Sequence, residues 1–523
     1  MIVVILMNIS LSALFEGTPL YILTGNPGDI PVTGITMDSR LVQPGFLFVA
    51  VRGGSVDGHD FIPDAVRRGT AAIVGEQPRD GLSVPYIQVE NSRVALTWLA
   101  AAFYGNPGRK LTVIGVTGTD GKTTTCNLLY QILLAAGMKA GLISTVNAVI
   151  GDAVIDTGFH VTTPNAPDVQ RYLARMVEAG LTHVILETTS HGWAQYRVDA
   201  CEFDVGVVTN ITHEHLDQHG SYENYRAAKA RLFQSLEKTR PKLQGNPRLA
   251  VLNKDDSSYA YLSGLVKGSQ TSYGLDSSAD IRAESVICSP EGIHFAVTGT
   301  GFCVQVASPL VGSFNVSNCL AALTAAVHGL DVKPEAAARG IAALPGVPGR
   351  MERIDLGQPF TAIVDFAHTP NALRVAIETV RKMTRKRIIV IFGSAGLRDK
   401  EKRRLMAEVA AQLADISILT AEDPRTESVE GILEEMAAGA RTRGGVDEKT
   451  FFCVEDRGEA IRLGIRMAQP GDIVMACGKG HEQSMCFGTT EYPWDDRIAM
   501  RAALSERMGA SGPQMPWLPT QGK

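Results

Sequence analysis

The sequence has no CxxC pair: its eight cysteines are scattered through 523 residues without metal-ligand spacing. That pattern excludes a zinc ribbon or disulfide scaffold and leaves buried thiols in a reducing compartment. An excess of positive charge is missing too. Fifty Lys and Arg stand against fifty-five Asp and Glu, a formal net charge of −5, which argues against a nucleic-acid binder. No segment is long and apolar enough to cross a bilayer. The opening Met1–Met7 is apolar but very short, lacks a basic flank and runs into polar residues. It reads as neither a signal peptide nor a span, and Met7 is an alternative start. Internal repeats are absent, and the one polar, proline-containing tail follows Ser511. These absences predict a soluble, cytoplasmic protein that binds neither nucleic acid nor membrane; a monomer is the expectation, although no sequence feature sets the oligomeric state.

A chain of this length exceeds one core and predicts about three domains. Two Pro/Gly-rich breaks, Tyr104-Gly-Asn-Pro-Gly-Arg109 and Leu344-Pro-Gly-Val-Pro-Gly-Arg350, set the expected boundaries at 1–108, 109–346 and 347–523. Between the breaks, short apolar runs at Leu111–Val116, His183–Leu186 and Val205–Val208 alternate with helical segments. This is the pattern of a mostly parallel, helix-covered sheet. Runs at Ala362–Val364, Arg387–Phe392, Ile416–Leu419 and Ile473–Ala476 repeat it as a second, smaller doubly wound domain. The fold class is α/β.

The stretch Val113-Ile-Gly-Val-Thr-Gly-Thr-Asp-Gly-Lys-Thr-Thr-Thr125 carries the strongest chemistry. An apolar strand runs into a glycine turn, and Lys122 and Thr123 open a helix whose apolar face is Leu128, Leu129, Ile132 and Leu133, stopped by Gly137. Glycines let successive backbone N–H groups of Gly118, Thr119, Asp120 and Gly121 curl toward one phosphate. Lys122 then reaches terminal phosphate oxygens, the Thr123 hydroxyl suits Mg²⁺, and Thr124 lies in the same positive first turn. The usual phosphate loop has a glycine where Val116 stands; here an extra one occurs at Gly115.

Glu187 follows the strand His183–Leu186, where a carboxylate at a parallel strand's end can hold Mg²⁺ or simply be a solvated charge. The next strand leads to Asn210-Ile-Thr-His-Glu-His-Leu-Asp-Gln-His-Gly220. Its three histidines and two acids allow a zinc reading, but HExxH spacing and a nearby cysteine are lacking. Lys229, in Tyr225-Arg-Ala-Ala-Lys-Ala-Arg-Leu-Phe233, would by itself be a helix-surface charge.

Taken in order, the phosphate loop, the Glu187 segment, the Asn210–Asp217 segment and the Lys229 segment resemble the Mur ligases. These ATP-dependent enzymes add amino acids to the UDP-linked muramoyl precursor of peptidoglycan. The resemblance covers nearly the whole chain. It implies a small N-terminal UDP-binding α/β domain, a central P-loop ATPase-like parallel sheet and a C-terminal Rossmann-like domain. It also implies ATP, two Mg²⁺ ions, and a CO₂-derived carbamate on Lys229 that holds the second ion with Glu187 and His215. Thr36-Met-Asp-Ser-Arg40, Val42-Gln-Pro-Gly45 and Asp57-Gly-His-Asp-Phe61 are similar to the UDP-binding part of the member that adds the third peptide residue, with Ser39 on the nucleotide-sugar. Thr162, Thr163, Thr189, Gln195 and Arg197 match residues that hold the muramoyl-dipeptide, although serine is usual where Thr189 stands. Gly312-Ser-Phe-Asn-Val-Ser-Asn318 matches an adenine-side motif, with Asn315 as its contact. Arg350 matches a hinge arginine, and Asp365 and His368 of Asp365-Phe-Ala-His-Thr-Pro370 match ribose and adenine contacts.

Selection of the incoming amino acid falls to the last domain. Arg398 matches the arginine that binds its carboxylate, and Gly478 and Glu482 of Gly478-Lys-Gly-His-Glu482 match the segment at its far end. The remaining stretch is Ala421-Glu-Asp-Pro-Arg425, where diaminopimelate-adding members usually carry Asp-Asn-Pro-Arg. Arg425 suits a distal carboxylate. Glu422 and Asp423, before Pro424, suit a bare ammonium as in lysine or ornithine, so the motif leaves the diamino acid open. The expected reaction is acyl-phosphate formation at the D-glutamate carboxylate followed by amine attack. His215 or a water would take the amine's proton. Three other readings remain: another ligase of the superfamily such as folylpolyglutamate synthetase, a nucleotide-binding regulator without catalysis, and an amide ligase carrying an ATP-grasp domain.

Overall fold

The computed structural model describes residues 8–53, 56–155, 162–212, 219–289 and 291–521. Contacts divide the chain into one unit of Met1–Arg282, Gly299–Phe302 and Asn318–Gly340, and another of Ala283–Thr298, Cys303–Ser317 and Ile341–Lys523. No helix among the described residues is long and apolar enough to cross a membrane.

The first unit begins with a five-stranded sheet in the order Ile22–Thr24, Tyr86–Val89, Ala72–Gly75, Phe46–Val49, Gly34–Thr36. The last four strands are parallel and the first is antiparallel to its neighbour. Leu47, Val49, Ala72, Val74 and Ile87 pack with Ala95, Leu96 and Leu99 of helix Ser92–Phe103, which Asn91 caps by accepting from Val94 N.

The second sheet of this unit carries the phosphate loop. Eight of its strands run in the order Ala153–Ile155, Ala148–Ile150, Ala140–Ile143, His183–Glu187, Thr112–Thr117, Val205–Val208, Leu249–Asn253, Ser269–Gly274. From Ala140–Ile143 onward the pairing is parallel; the edge hairpin is antiparallel. Every residue of Thr112–Thr117 is buried, as a strand covered by helices on both faces must be. Gly115 has a packing role there. A Cβ on it would lie 2.6 Å from Leu232 Cδ1 and 2.8 Å from Phe203, so the extra glycine admits helix Tyr222–Lys238 against the sheet rather than a phosphate. Glu187 pairs with Val116 and Val208 with Thr117, so three adjacent strands end together. Open α/β sheets bind ligands at that edge.

The other unit holds a six-stranded sheet ordered Glu352–Ile354, Thr361–Asp365, Ile473–Cys477, Ile388–Phe392, Ile416–Leu419, Phe451–Cys453, parallel except for its first strand. One core cluster joins Ile388, Val390 and Phe392 to helices Pro370–Arg381, Glu401–Leu413 and Val429–Thr442. Another joins Ile389 and Ile391 to Arg457–Met467 and Asp496–Met508. Successive strand residues thus face opposite helical layers, the doubly wound arrangement read from the sequence. Each sequence-marked strand lies within one residue of its expected bounds at either end.

Candidate active site

The phosphate loop is shaped by the neighbouring strand end. Gly118 has φ +149°, and a Cβ on it would fall 1.9 Å from Thr209 Oγ1, so only glycine fits. The Thr209 hydroxyl donates to Asp120 O at 2.6 Å, and Asn210 Nδ2 donates to the same carbonyl at 3.2 Å. In return, Asn210 O accepts from Thr119 N at 2.8 Å and Asn210 Oδ1 accepts from Asp120 N at 3.0 Å. Helix Lys122–Ala135 starts with no side-chain cap, since its N-cap is Gly121. An uncapped first turn is an anion site. Lys122 is half-buried and folds back to donate to Thr119 O at 2.7 Å, while Thr124 is buried behind it.

Glu187 meets the loop at its second hydroxyl residue. The carboxylate is 1 % exposed, Oε1 accepts from Thr123 Oγ1 at 3.0 Å, and Oε2 accepts from Thr145 N at 2.9 Å. Lys229, 2 % exposed on helix Tyr222–Lys238, donates through Nζ to Gly118 O at 2.5 Å and lies 4.5 Å from the Tyr225 ring centroid. Tyr225 OH is in turn 3.0 Å from Thr119 Oγ1. A hydroxyl beside a carboxylate is a hard-oxygen donor set and fits Mg²⁺. Among the described residues no group of three or more His, Cys, Asp or Glu is placed to hold a metal. His215, with its neighbours at 213–218, lies outside the described residues.

The residues matched to the dipeptide pocket gather beside Glu187. Thr163 Oγ1 donates to Glu187 O at 3.3 Å and sits 3.1 Å from the Thr189 hydroxyl, which caps Gly192 N at 3.0 Å. Arg197 donates to Thr163 O at 2.6 Å and forks onto Gln195 Oε1 at 3.1 and 2.7 Å. Thr162 is half-buried next to this group. Ser39 is buried at the start of the short 3₁₀ turn Ser39–Leu41.

In the other unit, Asp365 ends its strand and accepts from Met351 N at 2.7 Å and Ala367 N at 2.8 Å, anchoring the residue after Arg350. Burial raises the Asp365 pKa, with Arg350 opposing. The Arg350 guanidinium lies 4.3 Å from the Phe366 ring centroid. His368 and His481 flank that ring at 4.5 and 5.0 Å, and burial drives both imidazoles down to about 3, so they are neutral. Asn315 is buried and donates to Val311 O at 2.8 Å.

Two of the segments matched to amino-acid selection are tied to each other, and the second is tied also to Cys486 beyond the third. Gly396 N donates to Asp423 O at 3.0 Å, Arg425 Nη1 donates to Gly396 O at 2.9 Å, and Arg425 N donates to Cys486 O at 3.1 Å. Asp423 and Arg425 have φ +42° and +54°, a left-handed backbone on both sides of the buried Pro424. Such strain in non-glycine residues clusters at functional sites. Glu422 is buried, burial raises its pKa, and its Oε2 has no hydrogen-bond partner among the described residues. A Cβ on Gly478, at φ +112°, would lie 2.2 Å from that oxygen. Arg398 is exposed.

Several residues of these sites went unmarked in the sequence. Asn318 lies against the loop, where a Cβ at Gly121 would come within 2.2 Å of its Oδ1. It stands three residues past Asn315 in the same motif, a signal within reach. Arg457, fully buried in an ion pair with Asp496 at 2.6 Å, donates to Ala421 O at 3.3 Å and Cys477 O at 2.8 Å, holding the residues that precede Glu422 and Gly478. Lys479, inside the Gly478–Glu482 motif, donates to both oxygens of Asp423 at 3.0 and 3.1 Å. No local pattern announces either of these pairings.

Comparison with known proteins supplies the remaining finding. The chain matches the models described as Mur ligase family, catalytic domain, over residues 31–104, Mur ligase middle domain over 116–326, and Mur ligase, glutamate ligase domain, over 349–480. It is 45% identical over 494 residues to the UDP-N-acetylmuramyl-tripeptide synthetase of Roseiflexus sp. (strain RS-1), covering 92% of this chain and 96% of that one. To the UDP-N-acetylmuramoyl-L-alanyl-D-glutamate--2,6-diaminopimelate ligase of Geobacillus thermodenitrificans (strain NG80-2) it is 42% identical over 483 residues, with the same two coverages. A solved structure of a ligase with that same name superimposes with a TM-score of 0.66 at 29% identity, covering 96% of this chain and 100% of that chain.

Proposed function

The chain belongs to the Mur ligase family, and from that premise we propose that it is an ATP-dependent ligase of peptidoglycan precursor synthesis, joining the third residue, a diamino acid, to UDP-N-acetylmuramoyl-L-alanyl-D-glutamate. The observation that carries the reading to this site is the meeting of Lys122, Thr123 and Glu187 at the carboxyl edge of a parallel sheet. Thr163, Thr189, Gln195 and Arg197 stand beside it to receive an acceptor. A cytoplasmic, monomeric enzyme acting on soluble nucleotide-linked substrates belongs to the same reading.

In this mechanism the loop of Gly118–Gly121, through the N–H groups that Asn210 does not hold, and the first turn of helix Lys122–Ala135, including Thr124, cradle the phosphates of ATP. Lys122 leaves Thr119 O for the terminal phosphoryl group and stabilises its charge during transfer. Thr123, Glu187, His215 and a carbamylated Lys229 would hold two Mg²⁺ ions, which supply charge neutralisation at the phosphates. The D-glutamate carboxylate, held by Arg197 and the threonine hydroxyls, takes the γ-phosphoryl group of ATP as ADP leaves, and becomes an acyl phosphate. The amine then displaces phosphate to form the amide, giving up a proton to His215 or water. Ser39 would contact the uridine-diphosphate sugar, and Asn315, Asp365, His368 and Arg350 would supply adenosine and phosphate contacts. A neutral His368 accepts or donates a hydrogen bond without adding charge. Arg398 takes the α-carboxylate of the incoming amino acid, while Glu422–Arg425, Gly478 and Glu482 read its far end.

The test is phosphate release from ATP with UDP-muramoyl-dipeptide and, separately, meso-diaminopimelate, lysine and ornithine. Turnover dependent on one diamino acid is expected. No turnover with any of the three would overturn the reading.

A further inference from the structure

The acids at 422 and 423 pull, in sequence, toward a bare ammonium, and Arg425 pulls toward a carboxylate. The structure weighs these charges differently. Lys479 is 0 % exposed, and its Nζ lies 3.0 Å from Asp423 Oδ1, 3.1 Å from Asp423 Oδ2 and 2.5 Å from Glu482 Oε2. Cys486 N also donates to Asp423 Oδ1 at 2.9 Å. Burial by itself lowers a lysine's pKa, yet Glu482 and Asp423 outweigh it and leave Lys479 above its ordinary value, so the ammonium stays charged. Asp423 therefore spends its charge inside the protein, and Glu482 shares the same cation.

Two side chains of the motif, Glu422 and Arg425, still carry unmet polar atoms. Glu422 is buried with Oε2 unpartnered, and Arg425 keeps Nη2 and Nε without a hydrogen-bond partner among the described residues. An unmet carboxylate oxygen and an unmet guanidinium edge fit a side chain that ends in an ammonium and a carboxylate together. We propose that Lys479 is a specificity-determining residue: by cancelling one of the two negative charges of Asp423 and Glu482 it weakens the acidic field that would select lysine or ornithine, and so sets the site for a diamino dicarboxylic acid. The inference rests on the ligase reading above and names the substrate class for the same site. Lys479 acts through the acids it pairs and is a positioning residue.

The measurement is kcat/KM for meso-diaminopimelate and for L-lysine, taken as a ratio, on the full-length enzyme. The wild type favours diaminopimelate. In Lys479→Met the ratio falls by about tenfold or more, because two unpaired carboxylates repel the distal carboxylate and attract the bare ammonium. Lys479→Arg restores most of it. Asp423→Asn with Lys479 intact shifts the balance the other way and raises the ratio about threefold, which keeps the test decisive if Lys479→Met does not fold. Equal loss of both substrates in Lys479→Met, a wild type that favours lysine, or a fall of the ratio in Asp423→Asn would each overturn the proposal. A wild type inactive with every diamino acid would instead overturn the ligase reading, and the inference with it.

Discussion

The phosphate loop and the proposed amino-acid site occupy the same kind of place, the carboxyl edge of a parallel sheet, but they are made of opposite materials. The first is a contiguous backbone curl whose carbonyls and N–H groups are fixed by Thr209 and Asn210. The second is a set of charged side chains from three distant segments, locked by Lys479 and held from behind by the Arg457–Asp496 pair. Backbone recognition of phosphate needs the same few dihedral angles wherever it occurs, and so leaves a short sequence signature. Recognition of a diamino acid depends on which charges remain after internal pairing, and pairing is a tertiary property.

The contrast predicts where single substitutions act. Lys122→Ala should have the largest effect, a loss of about 10³-fold in turnover from removing one charge at the transferring phosphoryl group. Because Lys122 is half-buried and contacts its own loop, the melting temperature should move by no more than about 2 °C. Ligase assay with thermal melting checks both. Turnover within tenfold of wild type would remove the lysine from the phosphate site.

Gly118→Ala should come next and should hurt through geometry. The new methyl meets the Thr209 hydroxyl at a glycine-only φ, so the bond from Thr209 to Asp120 O breaks and the loop shifts. A displacement of about 1 Å in a positioned group costs about 10²-fold in rate. ADP affinity by calorimetry should fall alongside kcat. An alanine variant that binds ADP as tightly as wild type would show that the loop tolerates another shape.

These expectations mark what the sequence made legible. Both doubly wound sheets could be read because buried parallel strands are continuous apolar runs, visible at Thr112–Thr117 and Ile388–Phe392. That Gly118–Thr123, Glu187 and Lys229 meet at one sheet edge could be expected, because strand register and the resemblance to the Mur ligases place them there; what each does there is proposed. The purpose of Gly115 could not be read, since its neighbours Leu232 and Phe203 are far along the chain. The same holds for Asp423, whose acidity looks available to a ligand until Lys479 appears beside it. Asn318 could have been found, because it shares the motif of Asn315.

A smaller effect separates the two sites by pH. His368 and His481 have pKa values of about 3 in the fold, from burial, against an ordinary value near 6.5. The unfolded chain therefore binds more protons between these values, and the stability these groups contribute is complete above 6.5 and lost as pH falls toward 3. Asp365 and Glu422, raised by burial, act in the opposite sense: they hold protons above the ordinary carboxylate range, and their contribution is lost as pH rises. Between pH 7.5 and 5.5 the histidines dominate, so hydrogen-exchange protection of Ile473–Glu482 should drop while that of Thr112–Lys122 changes little. His481→Gln should shrink the drop, and equal loss in both segments would refute the local origin.

The smallest expected effect lies at Thr189, where the family usually has serine. The hydroxyl makes both contacts that matter, to Thr163 Oγ1 at 3.1 Å and from Gly192 N at 3.0 Å, and the second caps helix Ser190–Ala194. Serine supplies the same oxygen, so Thr189→Ser should keep kcat/KM for the muramoyl-dipeptide within about twofold. Thr189→Val keeps the shape but removes the oxygen, which uncaps the helix at about 1 kcal/mol and leaves Thr163 without that partner. It should raise KM for the dipeptide several times more than Thr189→Ser does, with the KM for ATP unchanged. If serine and valine behave alike, the methyl rather than the hydroxyl is what this position contributes, and the dipeptide pocket is set by packing instead of by hydrogen bonds.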